Sequence, residues 1–451
     1  MVTDAGDWPR VAVLVLNWNG KELLGSCLPP LLAQDYPDYE ITVVDNGSTD
    51  GSVDYLAADF PGVRILENGD NLGFAGGLNA GMRQTAGDLL VLLNNDVIVL
   101  GNDWLRQLIA PFQHDQGVGI AGCKLYFPGG KILQHAGARL TYPLAYSMHI
   151  GYLEEDTGQY DEQADVDYIT GAVIAVRQEV INRVGLLDES FWPIYYEEVD
   201  LCYRVRAAGY RVLYVPGAAA IHNESATFGK VRERHRLAFH RNRLRFIFKH
   251  YTVGQILDDF VPAEEERIAA HASPGELHTM RRVFMELLLA LPELLAARGE
   301  SSRLSDLQRA LLHLRQVTSA RQLAEDPPGS EDPLAGELAA RQHITEPTLV
   351  SRVPIFGPAI AWFRNAWNSV AARWYVRLIM EQQQAFNRLV VQMLDAQLRA
   401  RDQVRANAAD LDNLVEALLA SQEENRATIA KLTGELESVK ARLRRLEGEE
   451  E

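Results

Sequence analysis

Short apolar runs alternate with amphipathic stretches through the first hundred residues. "VAVLVL" (11–16) is continuously apolar and β-branched, the pattern of a strand buried on both faces. "NWNG" breaks it, and residues 21–33 read as a helix. "EITVV" (40–44) predicts the next strand, followed by "DNGSTDGS", a turn built from Asp, Asn, Gly and Ser. "VRIL" (63–66) and "LLVLL" (89–93) predict two more strands, with a helix near 76–86 between them. This β-α-β-α order predicts an α/β fold with a parallel sheet. Further strands are predicted at 118–122, 171–176 and 210–215. From 124 to 168 no period holds, and the Gly, Pro and aromatic content predicts loops and short strands shaping a pocket.

The pattern changes after the last of these strands. Residues 230–249 read as a basic helix with eight Lys or Arg against one acid, Glu233. It closes an α/β domain over 1–254. A helical extension follows over 255–321, then a linker over 322–348 rich in Pro, Gly and acid. An amphipathic helical segment spans 349–393. From 394 to 451 a heptad register predicts a coiled coil, and hence a homo-oligomer. Its last six seam residues, Ile429, Leu432, Leu436, Val439, Leu443 and Leu446, alternate steps of three and four without a break.

Charge narrows the function. The net charge of −17 disfavours nucleic acid, whose affinity comes mainly from Lys and Arg on phosphates. The three cysteines, Cys27, Cys123 and Cys202, are far apart, so neither structural zinc nor a disulfide framework is expected. With no signal peptide and no long apolar run, a cytoplasmic protein is expected. The basic helix and the aromatics of 362–375 are candidates for peripheral contact with an anionic membrane surface. A solvated helix face and a helical core explain the same residues equally well.

In an open parallel sheet, ligands bind at the carboxyl ends of the strands. Those ends carry Asn17 and Asn19, then Asp45, then Asn94, Asn95 and Asp96, with the glycine-rich "NLGFAGGLNAG" (71–81) between the last two groups. Neither GxGxxG nor a phosphate-loop GxxxxGK[ST] is present, which disfavours a dinucleotide enzyme and a P-loop NTPase. Asp96 follows an apolar strand into the cleft and suits a Mg2+ or Mn2+ ion shared with a diphosphate.

These motifs, together with "YYEEVDLCYRVRAAGYRVLYVPGAAAIH" (195–222), resemble the family-2 glycosyltransferases of the GT-A fold, rhamnosyltransferase-like branch, over roughly residues 8–250. The resemblance implies inverting transfer from a nucleotide sugar, dTDP- or UDP-linked, to a glycan or lipid-linked acceptor in cell-surface glycan assembly. Mg2+ or Mn2+ would sit on the diphosphate. Asp45 resembles the acid that contacts the nucleobase, Asn17 and Asn19 lie in the first nucleotide loop, and Asn71, Gly76, Gly77 and Asn79 fall in the glycine-rich nucleotide segment. Asn94-Asn95-Asp96 stands where the family has DxD, with Asp96 as the metal-binding acid and Asn94 replacing the first Asp. His222 stands where related enzymes place a further metal ligand; a hydrogen-bonded histidine at a strand end is the alternative.

The acids Glu197, Glu198 and Asp200 open one helix. There the helix dipole favours ionised acids whatever their role. Asp200 is one i,i+4 step from Arg204, so an ion pair is expected. Glu198 stands at the family's catalytic base, usually Asp, and is the expected base. A competing expectation is a sugar-nucleotide-binding scaffold of weak or no activity, assembled through its coiled coil; Asn94 and Glu198 are the departures that favour it.

Overall fold

The computed structural model describes residues 8–223 and 232–325. The linker from residue 326 onward, the amphipathic segment 349–393, the aromatics of 362–375 and the coiled coil 394–451 lie outside the described residues.

The first apolar run forms β1 (Val11–Asn17), followed by α1 (Lys21–Leu32), β2 (Tyr39–Asp45), α2 (Ser52–Asp59), β3 (Arg64–Glu67), α3 (Gly73–Gln84) and β4 (Leu89–Asn94). β1 pairs in parallel with both β2 and β4, and β2 with β3. Val11, Val13 and Val15 enter the core layer beneath α1, whereas Ala12 and Leu14 enter the layer beneath α3. Burial on both faces is what the unbroken apolar run requires.

The second half inserts one reversed strand among the central ones. β5 (Val97–Leu100) and α4 (Trp104–His114) lead to β6 (Val118–Tyr126). The 124–168 stretch forms short strands, β7 (Leu133–His135), β8 (Ala138–Leu140), β9 (Ser147–His149) and β10 (Ala164–Asp165). β11 (Val173–Arg177) then runs antiparallel to β4 and β6, so the sheet is mixed where the pattern predicted a parallel one. After α5 (Gln178–Val184) and α6 (Glu197–Ala207), β12 (Arg211–His222) returns parallel to β6. The ten-stranded sheet runs β10-β12-β6-β11-β4-β1-β2-β3, with β5 added on β12 and β7 on β6.

The basic stretch forms α7 (Arg232–His250), and α8 (Val261–His271), α9 (Pro274–Arg298) and α10 (Leu304–Glu325) follow. Their apolar faces continue one sheet-side core, from Leu14 through Phe246 and Phe284 to Leu314. Arg243 and Glu264, both fully buried, pair at 2.5 Å and tie α7 to α8. Among the described residues no helix is long and apolar enough to cross a membrane.

Candidate active site

The polar groups at the ends of β1 and β2 hold one another. Asn17 Nδ2 donates to Asp45 Oδ1 at 2.9 Å, and its Oδ1 accepts from Asn95 Nδ2 at 2.7 Å. Asp45 Oδ2 accepts from the Ser48 amide, and the Ser48 hydroxyl accepts from the Asn19 amide. Asn19 Oδ1 in turn accepts from the Thr49 amide at 2.7 Å. Gly20 permits this: a Cβ there would lie 2.0 Å from Asn95 Nδ2. The sequence-predicted residues Asn17, Asn19, Asp45 and Asn95 thus form one hydrogen-bonded floor, Asn19 joining it through Ser48.

The glycine-rich segment has a second use. Asn46, which the sequence reading passed over, is its hub. Its Nδ2 donates to Asn71 Oδ1 and to the Gly73 carbonyl, and its Oδ1 accepts from Asn68 and from the Leu72 amide. Gly77 lets α3 settle onto this hub, since a Cβ would meet Leu16 at 2.6 Å and Asn46 at 3.1 Å. At Gly76 the Cβ would meet Leu72 at 2.9 Å. Asn79 turns the other way: Nδ2 donates to the Leu187 carbonyl and to Glu189, and Oδ1 accepts from the Leu187 amide. Its side chain joins α3 to the segment leading to the acids rather than to the Asn17–Asp45 floor.

Asp96 and His222 are brought together by the sheet. β5 pairs antiparallel with β12 in a register that sets His222 opposite Val97. Asp96 Oδ1 then lies 3.3 Å from His222 Nε2. His222 Nδ1 is 2.8 Å from Gln134 Oε1. Asp96 Oδ1 is buried and makes no hydrogen bond. A buried carboxylate oxygen without a partner, facing an imidazole nitrogen, is a donor set suited to a divalent cation. Among the described residues no third His, Cys, Asp or Glu completes a metal cluster, so the remaining ligands would be water and diphosphate oxygens. Asn94 ends β4, its amide donating to the Ala172 carbonyl.

The three acids at the start of α6 separate cleanly. Asp200 is fully buried and accepts from Arg204 Nε at 2.8 Å, as the i,i+4 spacing predicted. Lys249 Nζ at 2.5 Å and His250 Nε2 at 2.7 Å reach its other oxygen from α7. Burial opposes ionisation, but His250, Arg204 and Lys249 outweigh it and hold the carboxyl at about 2. Asp200 is therefore a permanently charged anchor.

Glu197 and Glu198 carry no such cations. Burial pushes Glu198 up to about 7, against the amides of Glu198, Val199 and Gly171, which favour the charged form. Burial, and then the neighbouring Glu198, raise Glu197 well above the usual carboxylate range. Each keeps a buried Oε2 with no hydrogen-bond partner. A carboxyl poised near neutrality is what general-base chemistry requires.

Local backbone conformation aims this pair. Tyr195 and Tyr196, immediately before α6, take left-handed φ values of 80° and 73°. Such residues cost about 1–3 kcal/mol each and persist only where the surroundings impose them. Asn242 of α7 supplies the restraint, its Nδ2 lying within 3.0 Å of the carbonyls of Phe191, Ile194 and Tyr195. The Tyr196 hydroxyl donates to the Ala145 carbonyl at 2.6 Å. Arg241 also donates to the Trp192 carbonyl. Within the basic helix expected to face lipid or diphosphate, Arg241 and Lys249 thus reach the segment that bears the acids, and Arg243 turns into the core against Glu264.

Comparison with known proteins places the chain in a family. The sequence profile described as "Glycosyltransferase like family 2" matches residues 9–238. An O-antigen biosynthesis protein, RfbC, of Myxococcus xanthus is 31% identical over 228 residues, covering 49% of this chain and 18% of that protein. The N-acetylglucosaminyl-diphospho-decaprenol L-rhamnosyltransferase of Mycobacterium tuberculosis is 26% identical over 239 residues, covering 48% of this chain and 76% of the enzyme. An uncharacterized protein of Sinorhizobium fredii, y4gI, is 32% identical over 230 residues, and the match spans only 25% of its length. Among solved structures, a mannosyltransferase of Pyrobaculum calidifontis in complex with GDP-Man and Mn2+ is similar to 70% of this chain and 87% of its own, with a TM-score of 0.40 and 19% identity. With more than half of the chain matched by the profile, its strand-end motifs included, this protein belongs to the glycosyltransferase-like family 2.

Proposed function

We propose that the protein is an inverting glycosyltransferase. It would move a sugar, with a deoxyhexose such as rhamnose favoured, from a dTDP- or UDP-linked donor to a hydroxyl of a glycan or lipid-linked acceptor in cell-surface glycan assembly. The observation that carries this reading is the pair of groups around Asp96: a buried carboxylate oxygen without a hydrogen bond, 3.3 Å from the imidazole of His222. The rhamnosyltransferase among the relatives supports the donor class.

Each residue has a chemical task. Asp96 and His222 would hold Mg2+ or Mn2+, which would supply Lewis-acid stabilisation of a diphosphate leaving group. The floor of Asn17, Asn19, Asp45 and Asn95 receives the nucleoside, with Asp45 nearest the base. Asn71 and the glycine-rich turn around Gly76 and Gly77 flank it, with Asn94 at the strand end. Glu198 accepts the proton of the acceptor hydroxyl as its oxygen attacks the anomeric carbon opposite the diphosphate. One base and no covalent intermediate suffice for inversion. Glu197 lies beside it, its carboxyl raised well above the usual range by burial and by Glu198.

The test is product formation by Glu198→Gln. The variant should bind donor as the wild type does and lose transfer by about a hundredfold or more, the usual contribution of a general base. Retained transfer would remove Glu198 from the role, and a product of unchanged anomeric configuration by NMR would refute inversion.

A further inference from the structure

A neutral imidazole carries its proton on either ring nitrogen, and in His222 the choice between them decides what the site is. With the proton on Nε2, the ring would donate to Asp96 across the 3.3 Å gap, and the two would satisfy each other. With the proton on Nδ1, Nε2 and Asp96 Oδ1 are two acceptors facing each other, and a cation is the group that satisfies both.

Gln134 makes that choice. It is buried on β7, with its carbonyl Oε1 2.8 Å from His222 Nδ1. A carbonyl oxygen only accepts, so in this orientation of the amide Gln134 takes its hydrogen bond from an Nδ1–H of the ring. Neighbours hold the strand in place. Leu133 bonds to Glu154 at 2.8 Å and Ala136 to Ile150 at 3.0 Å. His135, fully buried, accepts from the Thr170 amide through Nε2 at 3.4 Å and meets His149 through Nδ1 at 3.3 Å. Strand alternation sends the Gln134 and His135 side chains to opposite faces. The amide of Gln134 is therefore offered to His222 from an anchored backbone.

We propose that Gln134 is a positioning residue: by accepting the Nδ1 proton of His222, it keeps Nε2 bare and prevents the His222–Asp96 pair from closing on itself. This rests on the cation reading of Asp96 and His222 given above. Partners of this kind tune metal affinity by about 10–100-fold.

The test measures Mn2+ affinity of the full chain by electron paramagnetic resonance, with UDP or dTDP present, for the wild type, Gln134→Leu, Gln134→Glu and Asp96→Ala. Gln134→Leu should bind Mn2+ about tenfold or more weakly, while Gln134→Glu, still an acceptor, keeps wild-type affinity or better. Histidine 15N NMR without metal supplies a second readout. The His222 signal, identified by its loss in His222→Asn, should report an Nδ1–H ring in the wild type and in Gln134→Glu, and an Nε2–H ring in Gln134→Leu. Equal Mn2+ affinity or an unchanged tautomer in Gln134→Leu would overturn the inference while leaving the cation site intact. Equal Mn2+ binding by the wild type and Asp96→Ala would overturn both.

Discussion

Lys249 Nζ lies 2.5 Å from Asp200 Oδ1, joining the last turn of α7 to the first turn of α6. Through this contact the basic helix and the acid cluster form one structural unit. Asp200 also takes Arg204 and His250, and Lys249 also takes Asp188 at 2.7 Å. Asp200→Asn should destabilise the fold by about 1–3 kcal/mol, because three partly buried cations lose a charge-assisted hydrogen bond. The midpoint of urea unfolding reads this directly. The pH sign follows from the depressed carboxyl. Asp200 stabilises the fold above its ordinary value of 3.8, and that contribution is lost as pH falls from there through about 2.

Glu198 runs in the opposite direction. As the proposed base, Glu198 works only when ionised, so kcat/KM should rise with pH through about 7 as one proton leaves. Stability should move the other way. The folded carboxyl holds its proton above its ordinary value of 4.5, so its favourable contribution is complete below that value and is lost as pH rises through about 7. Glu198→Gln removes the cost of a buried charge. Its melting temperature should exceed that of the wild type at pH 8, with the gap closing towards pH 5.

Gly77 marks where α3 must touch the sheet. Gly77→Ala places a methyl 2.6 Å from Leu16 and 3.1 Å from Asn46, so the helix must move or the hub must yield. The expected loss is about 1–3 kcal/mol, as for other overpacked sites. Because Asn46 holds Asn71 and Gly73, donor affinity should fall with it. Thermal melting and calorimetric donor titration of the same sample measure the two effects.

Local relationships were the legible ones. The Asp200–Arg204 pair sits one helical turn apart, and the strand-end amides follow apolar runs whose period is plain. Lys249 and His250 could not be paired with Asp200 from the sequence, because α7 reaches it only through tertiary packing. The left-handed Tyr195 and Tyr196 gave no signal either, since no glycine marks the turn and Asn242 imposes the conformation from α7. The reversed direction of β11 was hidden for a similar reason. Its apolar run reads the same in either orientation, and the irregular connections of 124–172 decide the outcome. Asn46 was overlooked because its partners, Asn68, Asn71 and Leu72, belong to a loop that folds back over β2.

Asp96 and His222 are proposed to receive a cation together with a nucleoside diphosphate sugar. Calorimetric titration of dTDP-rhamnose, UDP-galactose and UDP-glucose into the full chain, with and without Mn2+, tests it most directly when repeated on Asp96→Ala. The account predicts that at least one donor binds the wild type in a Mn2+-dependent way, and that Asp96→Ala loses this dependence with a fall in affinity of about tenfold or more. Donor binding that ignores both Mn2+ and the loss of Asp96 would contradict it.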